Sequence, residues 1–194
     1  MHRYIQNNIE HTIGRSLQPE ECAILGSLFE ARHYPAHALL RAEGKVCRNA
    51  FFIVKGSCYS YTVDSNGEKH AVRFAIEGMW LADLFSLFTE TPSRLTMEAL
   101  EDTDVIVFSR EKIDRSFEVT TFMDRYFRIK AQNAYIALQS RLIQSQEETA
   151  ESRYLDFITS NPQLVQRIPQ YLIASYLGIK PETLSRIRNR SKKA

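Results

Sequence analysis

The stretch Gln170-Tyr-Leu-Ile-Ala-Ser-Tyr-Leu-Gly-Ile-Lys-Pro-Glu-Thr-Leu-Ser-Arg-Ile-Arg-Asn189 reads as two short helices joined by a sharp turn. Ala174 falls where two helices must approach closely, and Gly178 where the backbone needs a positive φ to turn. Ile173, Leu177, Ile179, Leu184 and Ile187 are spaced to build one core shared by two crossed helices. Pro181 suits the first position of the second helix, where its missing N–H would have no partner anyway, and Glu182 suits the positive end of the helix dipole. The opposite face carries Lys180, Thr183, Arg186, Arg188 and Arg190, with Lys192 and Lys193 behind them. Lys and Arg neutralise phosphates, and Arg can also bond bidentately to guanine in the major groove. A helix-turn-helix is therefore predicted, with double-stranded DNA as its partner.

Charge placement points the same way. Residues 180–194 hold six basic residues and one acidic, a net of +5, whereas the whole chain is only +2 and the remainder therefore nets −3. The positive charge is a local device, as an electrostatic footprint on DNA requires.

Upstream, the hydrophobic period changes twice. To about Ala31 the chain reads as helical, Pro19-Glu-Glu opening a segment with Cys22, Leu25, Leu28 and Phe29 on one face. From about His33 to Phe108 it reads as short strands: Ala50-Phe-Phe-Ile-Val, Cys58-Tyr-Ser-Tyr-Thr-Val, His70-Ala-Val-Arg-Phe-Ala, Met97-Glu-Ala-Leu and Asp104-Val-Ile-Val-Phe. Gly44, Gly56 and the hairpin tip Asp64-Ser-Asn-Gly separate them, so an antiparallel barrel or jelly roll is expected. Helical character returns near Glu111. One long helix is expected over residues 121–150, in which Phe122, Tyr126, Ile129, Asn133, Ile136, Ser140 and Ile143 recur at steps of four and three. That is a coiled-coil seam, and it predicts a homodimer; a helix packed on its own barrel is the alternative. A further helix over residues 151–160 is expected to stop at Asn161-Pro162. The fold class is thus α+β: an N-terminal antiparallel β-roll over residues 1–120, a long dimerisation helix over 121–150, and a C-terminal helix-turn-helix over 151–194.

Composition excludes other classes. With 194 residues, 44% of them hydrophobic and 25% charged, the chain can bury a sizeable core. No apolar run reaches membrane length and the first ten residues form no apolar leader, so a cytoplasmic location without a membrane partner is expected. Cys22, Cys47 and Cys58 are odd in number and far apart, which favours buried thiols over a disulfide, zinc or iron–sulfur framework. His33, His37 and His70 lack a close histidine pair with a nearby carboxylate, so no metal is expected. Without a glycine-rich phosphate loop, a nucleophile elbow or a triad spacing, no catalytic residues and no cofactor are expected. Trp80 and the β-roll tyrosines read as core and rim residues.

In this order of parts the chain resembles the cyclic-AMP receptor protein and FNR (Crp/Fnr) family of bacterial transcription regulators. Gly178-Ile-Lys-Pro-Glu-Thr-Leu-Ser-Arg-Ile is similar to the family's Gly-x-Ser-Arg-Glu-Thr-Val-x-Arg-Ile. The resemblance implies that Glu182 and Arg186 read bases and Thr183 holds a phosphate, in a homodimer on a near-palindromic site, with RNA polymerase as a further partner. Pro181 replaces a family arginine that also reads DNA, so the preferred sequence should differ. The family usually continues into a β-hairpin wing where this sequence reaches Ala194, so some backbone contact is expected to be either missing or supplied by the basic tail.

Family members that bind a cyclic nucleotide carry Gly-Glu at a helix start, then Arg-Ser or Arg-Thr, whose Arg meets the phosphate. Aligned without gaps from Gly78, this chain offers Ala82-Asp83 and Ser93-Arg94, which makes Trp80, Ala82, Asp83, Leu84, Ser93 and Arg94 the candidate effector pocket. In a strand, a one-residue displacement turns Arg94 away from that pocket, so cyclic AMP is not the expected effector, and the effector's identity stays open. The competing function is a dimeric ligand-binding module that regulates a protein partner without touching DNA.

Overall fold

The structure is a computed structural model that describes residues 2–191; Met1, Ala194 and the tail residues Lys192 and Lys193 lie outside the described residues. Two N-terminal helices, α1 (His2–Ile13) and α2 (Pro19–Leu28), precede eight strands: β1 (Glu30–Tyr34), β2 (Leu39–Arg41), β3 (Asn49–Lys55), β4 (Cys58–Val63), β5 (Lys69–Ala75), β6 (Trp80–Leu81), β7 (Thr96–Ala99) and β8 (Thr103–Ser109). A short helix α3 (Leu84–Thr89) lies between β6 and β7. The strands form two antiparallel four-stranded sheets, ordered β1-β8-β3-β6 and β2-β7-β4-β5. Their facing sides seal an apolar interior that includes Phe51, Ile53, Cys58, Ala75, Leu81, Met97, Ala99 and Val105. At the hairpin tip between β4 and β5, Asp64 Oδ1 accepts the backbone N–H groups of Asn66 and Glu68, which fixes the turn.

The expected helix to Ala31 ends sooner. α2 stops at Leu28, and Ala31 lies in β1, paired with Ile106 of β8. β1 is an edge strand with mostly exposed side chains, Glu30-Ala-Arg-His-Tyr, so no apolar alternation announces it. β2 and β6 also carry too few residues to show a period. The other strands overlap their expected positions, the fourth as Thr96–Ala99.

After β8 the chain is helical: α4 (Arg110–Val119), α5 (Thr121–Glu147), α6 (Ala150–Ser160), α7 (Pro162–Arg167), α8 (Gln170–Leu177) and α9 (Pro181–Ser191). Glu148 is extended, and the Thr149 hydroxyl accepts the N–H of Ser152 to start α6. α6 stops at Ser160, at the expected Asn161-Pro162 boundary, and Pro162 then opens the separate short helix α7, a position that requires no N–H.

The coiled-coil seam needs its main correction at α5. Phe122 and Tyr126, expected between two chains, are buried within one, beside Ile5 and Ile9 of α1, Phe52 of β3 and Phe108 of β8. Burying an aromatic side chain this size stabilises the fold by about 1.5–3 kcal/mol, so this end of α5 is committed to its own subunit. Tyr126 is fully buried, and its hydroxyl accepts from Trp80 Nε1 at 2.8 Å and donates to Asn8 Oδ1 at 2.8 Å. Burial pushes the Tyr126 phenol well above its ordinary pKa, so it stays a neutral donor. Further along, Ile129 is half-buried, and Asn133, Ile136, Ser140 and Ile143 are exposed together with Tyr135, Leu138 and Leu142.

Candidate nucleic-acid interface

The turn between α8 and α9 follows from Gly178. Its φ of 67° and ψ of 34° are left-handed, and its N–H reaches Ala174 O and Ser175 O while Ile179 N donates to Ala174 O at 3.0 Å. A residue with a Cβ pays strain in that conformation. Ala174 and Ile173 are fully buried, and they join Leu172, Leu184 and Ile187 in one cluster against which Leu177 and Ile179 pack. α9 starts at Pro181, and Lys180 O accepts from Thr183 N and Leu184 N to close the first turn.

That packing fixes which face of α9 is outward. Lys180, Pro181, Glu182, Arg186 and Arg190 are exposed, and Thr183 and Arg188 are half-buried. Arg186 Nη2 donates to Thr183 Oγ1 at 3.3 Å, so an expected base-reading residue and an expected phosphate contact touch one turn apart. Among the described residues Lys180, Arg186, Arg188 and Arg190 have no carboxylate within ion-pair distance, which leaves their charge available to an outside anion.

The candidate effector residues lie at and around the start of α3. Trp80 and Ala82 pack against the aromatic cluster under α1 and α5, and Leu84 projects from α3 into solvent. Asp83 is buried at the start of α3, where one carboxylate oxygen accepts Ser86 N at 3.1 Å and the other accepts the Ser93 hydroxyl at 2.7 Å. Ser93 is buried and Arg94 exposed. A carboxylate of the chain itself therefore occupies the helix start at which a phosphate would be held.

The helix-turn-helix is fastened to the β-roll by contacts the sequence did not announce. Tyr59, Tyr61, Ala71, Phe74 and Ile76 share a core with Tyr154, Phe157, Leu164, Ile168 and Leu172. Arg167 at the end of α7 pairs with both Glu77 and Glu101, in the turns that follow β5 and β7. Arg141 of α5 donates to Val72 O and to Tyr176 O, and its guanidinium lies 3.8 Å from the centre of the Tyr176 ring. Ser175 of α8 donates to Lys69 O at 3.1 Å and accepts Ala71 N at 2.9 Å. These partners lie dozens of residues apart, so no local pattern could have marked them.

A cavity of about 260 Å³ remains at this junction, lined by His37, Tyr59, Lys69, Glu98, Arg167 and Tyr171 among others. Glu98 accepts Lys69 Nζ at 2.9 Å and Tyr61 OH at 3.1 Å. Burial alone would raise the Glu98 pKa, but those two bonds prevail and hold it below the usual carboxylate range. Its charges are thus matched within the protein. His33 and His70 likewise pair with Asp104 and Asp64 at the surface.

Comparison with known proteins follows this architecture. Residues 31–119 match the family described as the cyclic nucleotide-binding domain. A search of curated protein sequences finds no significant match. Among solved structures, FixK2 from Bradyrhizobium japonicum superposes with a TM-score of 0.71 at 19% identity, over 85% of this chain and 85% of that one. A putative Crp/Fnr family transcriptional regulator from Eubacterium rectale gives 0.66 at 14% identity, over 91% and 84%. The Thermus thermophilus Catabolite Activator Protein gives 0.56 at 18%, over 96% and 87%. At these identities the likeness is one of fold: β-roll, long helix and C-terminal helices in the same order.

Proposed function

We propose that this chain, which has the fold of the Crp/Fnr regulators and a cyclic nucleotide-binding domain, is a homodimeric, sequence-specific DNA-binding transcription regulator that does not respond to cyclic AMP. The domain match and the Crp/Fnr neighbours support membership of that family. The observation that carries the DNA-binding reading is the exposed, unpaired basic face of α9, held outward by the packed turn at Gly178.

In this reading α9 enters the major groove, Glu182 and Arg186 meet base edges, and Thr183, Lys180, Arg188 and Arg190 hold phosphates. Pro181 brings no donor to the groove, so the base it faces is chosen by fit alone. Two copies associate through the exposed half of α5, and their reading helices sit about 34 Å apart, one turn of DNA. The β-roll acts as the sensor: its contacts with α5 and α8 set the angle between the two heads. RNA polymerase is the partner on DNA. Among the described residues no helix is long and apolar enough to cross a membrane, and the protein acts in the cytoplasm.

Selection from a random DNA pool followed by gel shift tests this reading. A near-palindrome should emerge, and removing Arg188 and Arg190 should flatten the salt dependence by about one unit of slope per lost phosphate contact. Equal affinity for every sequence would overturn it. For cyclic AMP, calorimetry should give a Kd no tighter than about millimolar; micromolar binding abolished by Arg94→Ala would show that Arg94 does reach the pocket.

A further inference from the structure

The hairpin between β4 and β5 gathers three metal-ligating side chains at its tip. Asp64, Glu68 and His70 each bring one ligand atom to a common point, a carboxylate oxygen from the first two and an imidazole nitrogen from the third, and all three atoms lie within 4.8 Å of one another. His70 Nε2 stands 3.0 Å from Asp64 Oδ2. Asp64 and Glu68 belong to the turn itself, and His70 is the second residue of β5.

The backbone sets up this convergence. Asp64 N donates to Glu68 O and Gly67 N to Asp64 O, both at 3.0 Å, which closes the turn and brings residues 64 and 68 together. Asp64 Oδ1 is taken up by the N–H groups of Asn66 and Glu68, so the carboxylate is held in one orientation and presents its other oxygen to His70. Along β5 successive side chains alternate in direction. Lys69 and Ala71 turn to the helix-turn-helix side, where Lys69 Nζ meets Glu98 at 2.9 Å, and His70 turns away from them. The ammonium that lies between two of the ligands in sequence is thus drawn off to a different partner.

A cation is what the cluster lacks. Among the described residues no Lys or Arg lies within ion-pair distance of Asp64 or Glu68, and the Glu68 carboxylate has neither a hydrogen bond nor an ion pair. By contrast Glu77, Glu98 and Glu101 in the same roll are each paired with Arg or Lys. Two converging carboxylates repel unless a positive charge joins them. A transition-metal ion bonded at about 2.1 Å to each ligand holds neighbouring ligands about 3.0 Å apart at right angles and about 3.4 Å apart in a tetrahedron. The Asp64–His70 pair already has that spacing, and the exposed Glu68 side chain closes the remaining gap by a change of rotamer.

We propose that the tip of the β4–β5 hairpin binds a divalent transition-metal ion through Asp64 Oδ2, the Glu68 carboxylate and His70 Nε2, with water completing the shell. An imidazole nitrogen beside two carboxylates favours an ion such as Zn2+ over Ca2+ or Mg2+, which take oxygen ligands. The ion replaces the hydrogen bond between His70 and Asp64 and requires a neutral imidazole and two ionised carboxylates. The site stands on the strand that seats α8, since Lys69 O, between two of the ligands, accepts the Ser175 hydroxyl. Its existence does not depend on DNA recognition.

Calorimetric titration of the full chain, first stripped with a chelator, tests the site with Zn2+ as the probe and Ca2+ as the control. One Zn2+ per subunit should bind with a Kd tighter than about 10 μM. Asp64→Asn, Glu68→Gln and His70→Gln should each weaken it at least tenfold while leaving the metal-free Tm unchanged. Asp64→Asn keeps an oxygen for the two N–H groups of the turn and removes only the anionic ligand; should it nevertheless fail to fold, the exposed Glu68 and His70 variants decide the matter. His33→Gln, which removes another surface histidine paired with an aspartate, should leave the affinity as it was. No stoichiometric Zn2+ binding, an affinity unaltered in the three ligand variants, or Ca2+ bound as tightly as Zn2+ would overturn the proposal. Such a result with selective DNA binding intact would leave the regulator reading standing.

Discussion

In its first two turns α5 seals Phe122, Met123 and Tyr126 against α1 and the β-roll, whereas between Tyr135 and Ile143 it leaves Tyr135, Ile136, Leu138, Leu142 and Ile143 in water. The same four-and-three repeat runs through both halves. A heptad repeat therefore reports that something apolar lies against a helix and does not say whether it belongs to the same chain. The first half has its partner within the subunit. The second presents a patch of the kind that marks an interface, 60% of the Ile136 surface being open.

Substitutions can break or sharpen this contrast. The largest effect is expected in the sealed half: Tyr126→Ala should cost about 3–5 kcal/mol of stability, because it leaves a cavity and strands the Trp80 indole and the Asn8 amide. Chemical denaturation measures it, and a loss under 1 kcal/mol would erase the distinction between the halves. Ile136→Asp should do the reverse, changing subunit stability by less than about 0.5 kcal/mol as a surface substitution does. It should, however, weaken association by about 3 kcal/mol by setting two charges in an apolar contact. Sedimentation velocity should then report monomers; dimers of undiminished affinity would mean that the exposed half serves some other end.

Arg186→Ala should cost about 1–3 kcal/mol at the preferred DNA site and relax the choice of one base pair. Equal loss on random DNA would demote Arg186 to a phosphate contact. The smallest effect is expected in α2, beside the sealed half. The Arg15 guanidinium, with help from Gln18 N–H, holds the Glu21 carboxyl down to about 2. A carboxyl depressed in the folded state stabilises above its unfolded pKa, and the benefit fades as pH falls through the folded one. Tm should accordingly decline as pH drops from about 4.5 toward 2, and Glu21→Gln should make that decline shallower; identical slopes would show the pair contributes nothing.

The residues legible in advance share one property: their signal is local. Gly178, Pro181 and the apolar spacing around them describe a turn and two helices within twenty residues, and Asp64-Ser-Asn-Gly describes its own hairpin. What escaped depends on distance or on small departures from regularity. The Tyr126–Asn8 bond spans 118 positions, and Arg167 pairs across 66 and 90. α3 and α7, six residues each, are too short to show a period. The register shifts between Leu39 and Arg41 and opposite Ser60 and Tyr61 each insert one extra residue, Leu40 and Val72, and an extra residue is invisible to any reading that assumes strict alternation.

The Ser175 hydroxyl, bonded to Lys69 O and Ala71 N, has a consequence beyond fastening α8. β5 is the rim of its sheet, and a rim left bare is a template on which another chain can add a strand. In the proposed regulator, a reading head that swings out toward DNA would uncover that template each time. Ser175 thus sets a limit on how freely the heads can roam: a mutant whose heads are permanently released would trade regulation for self-assembly, and its first symptom would be turbidity rather than misregulated transcription.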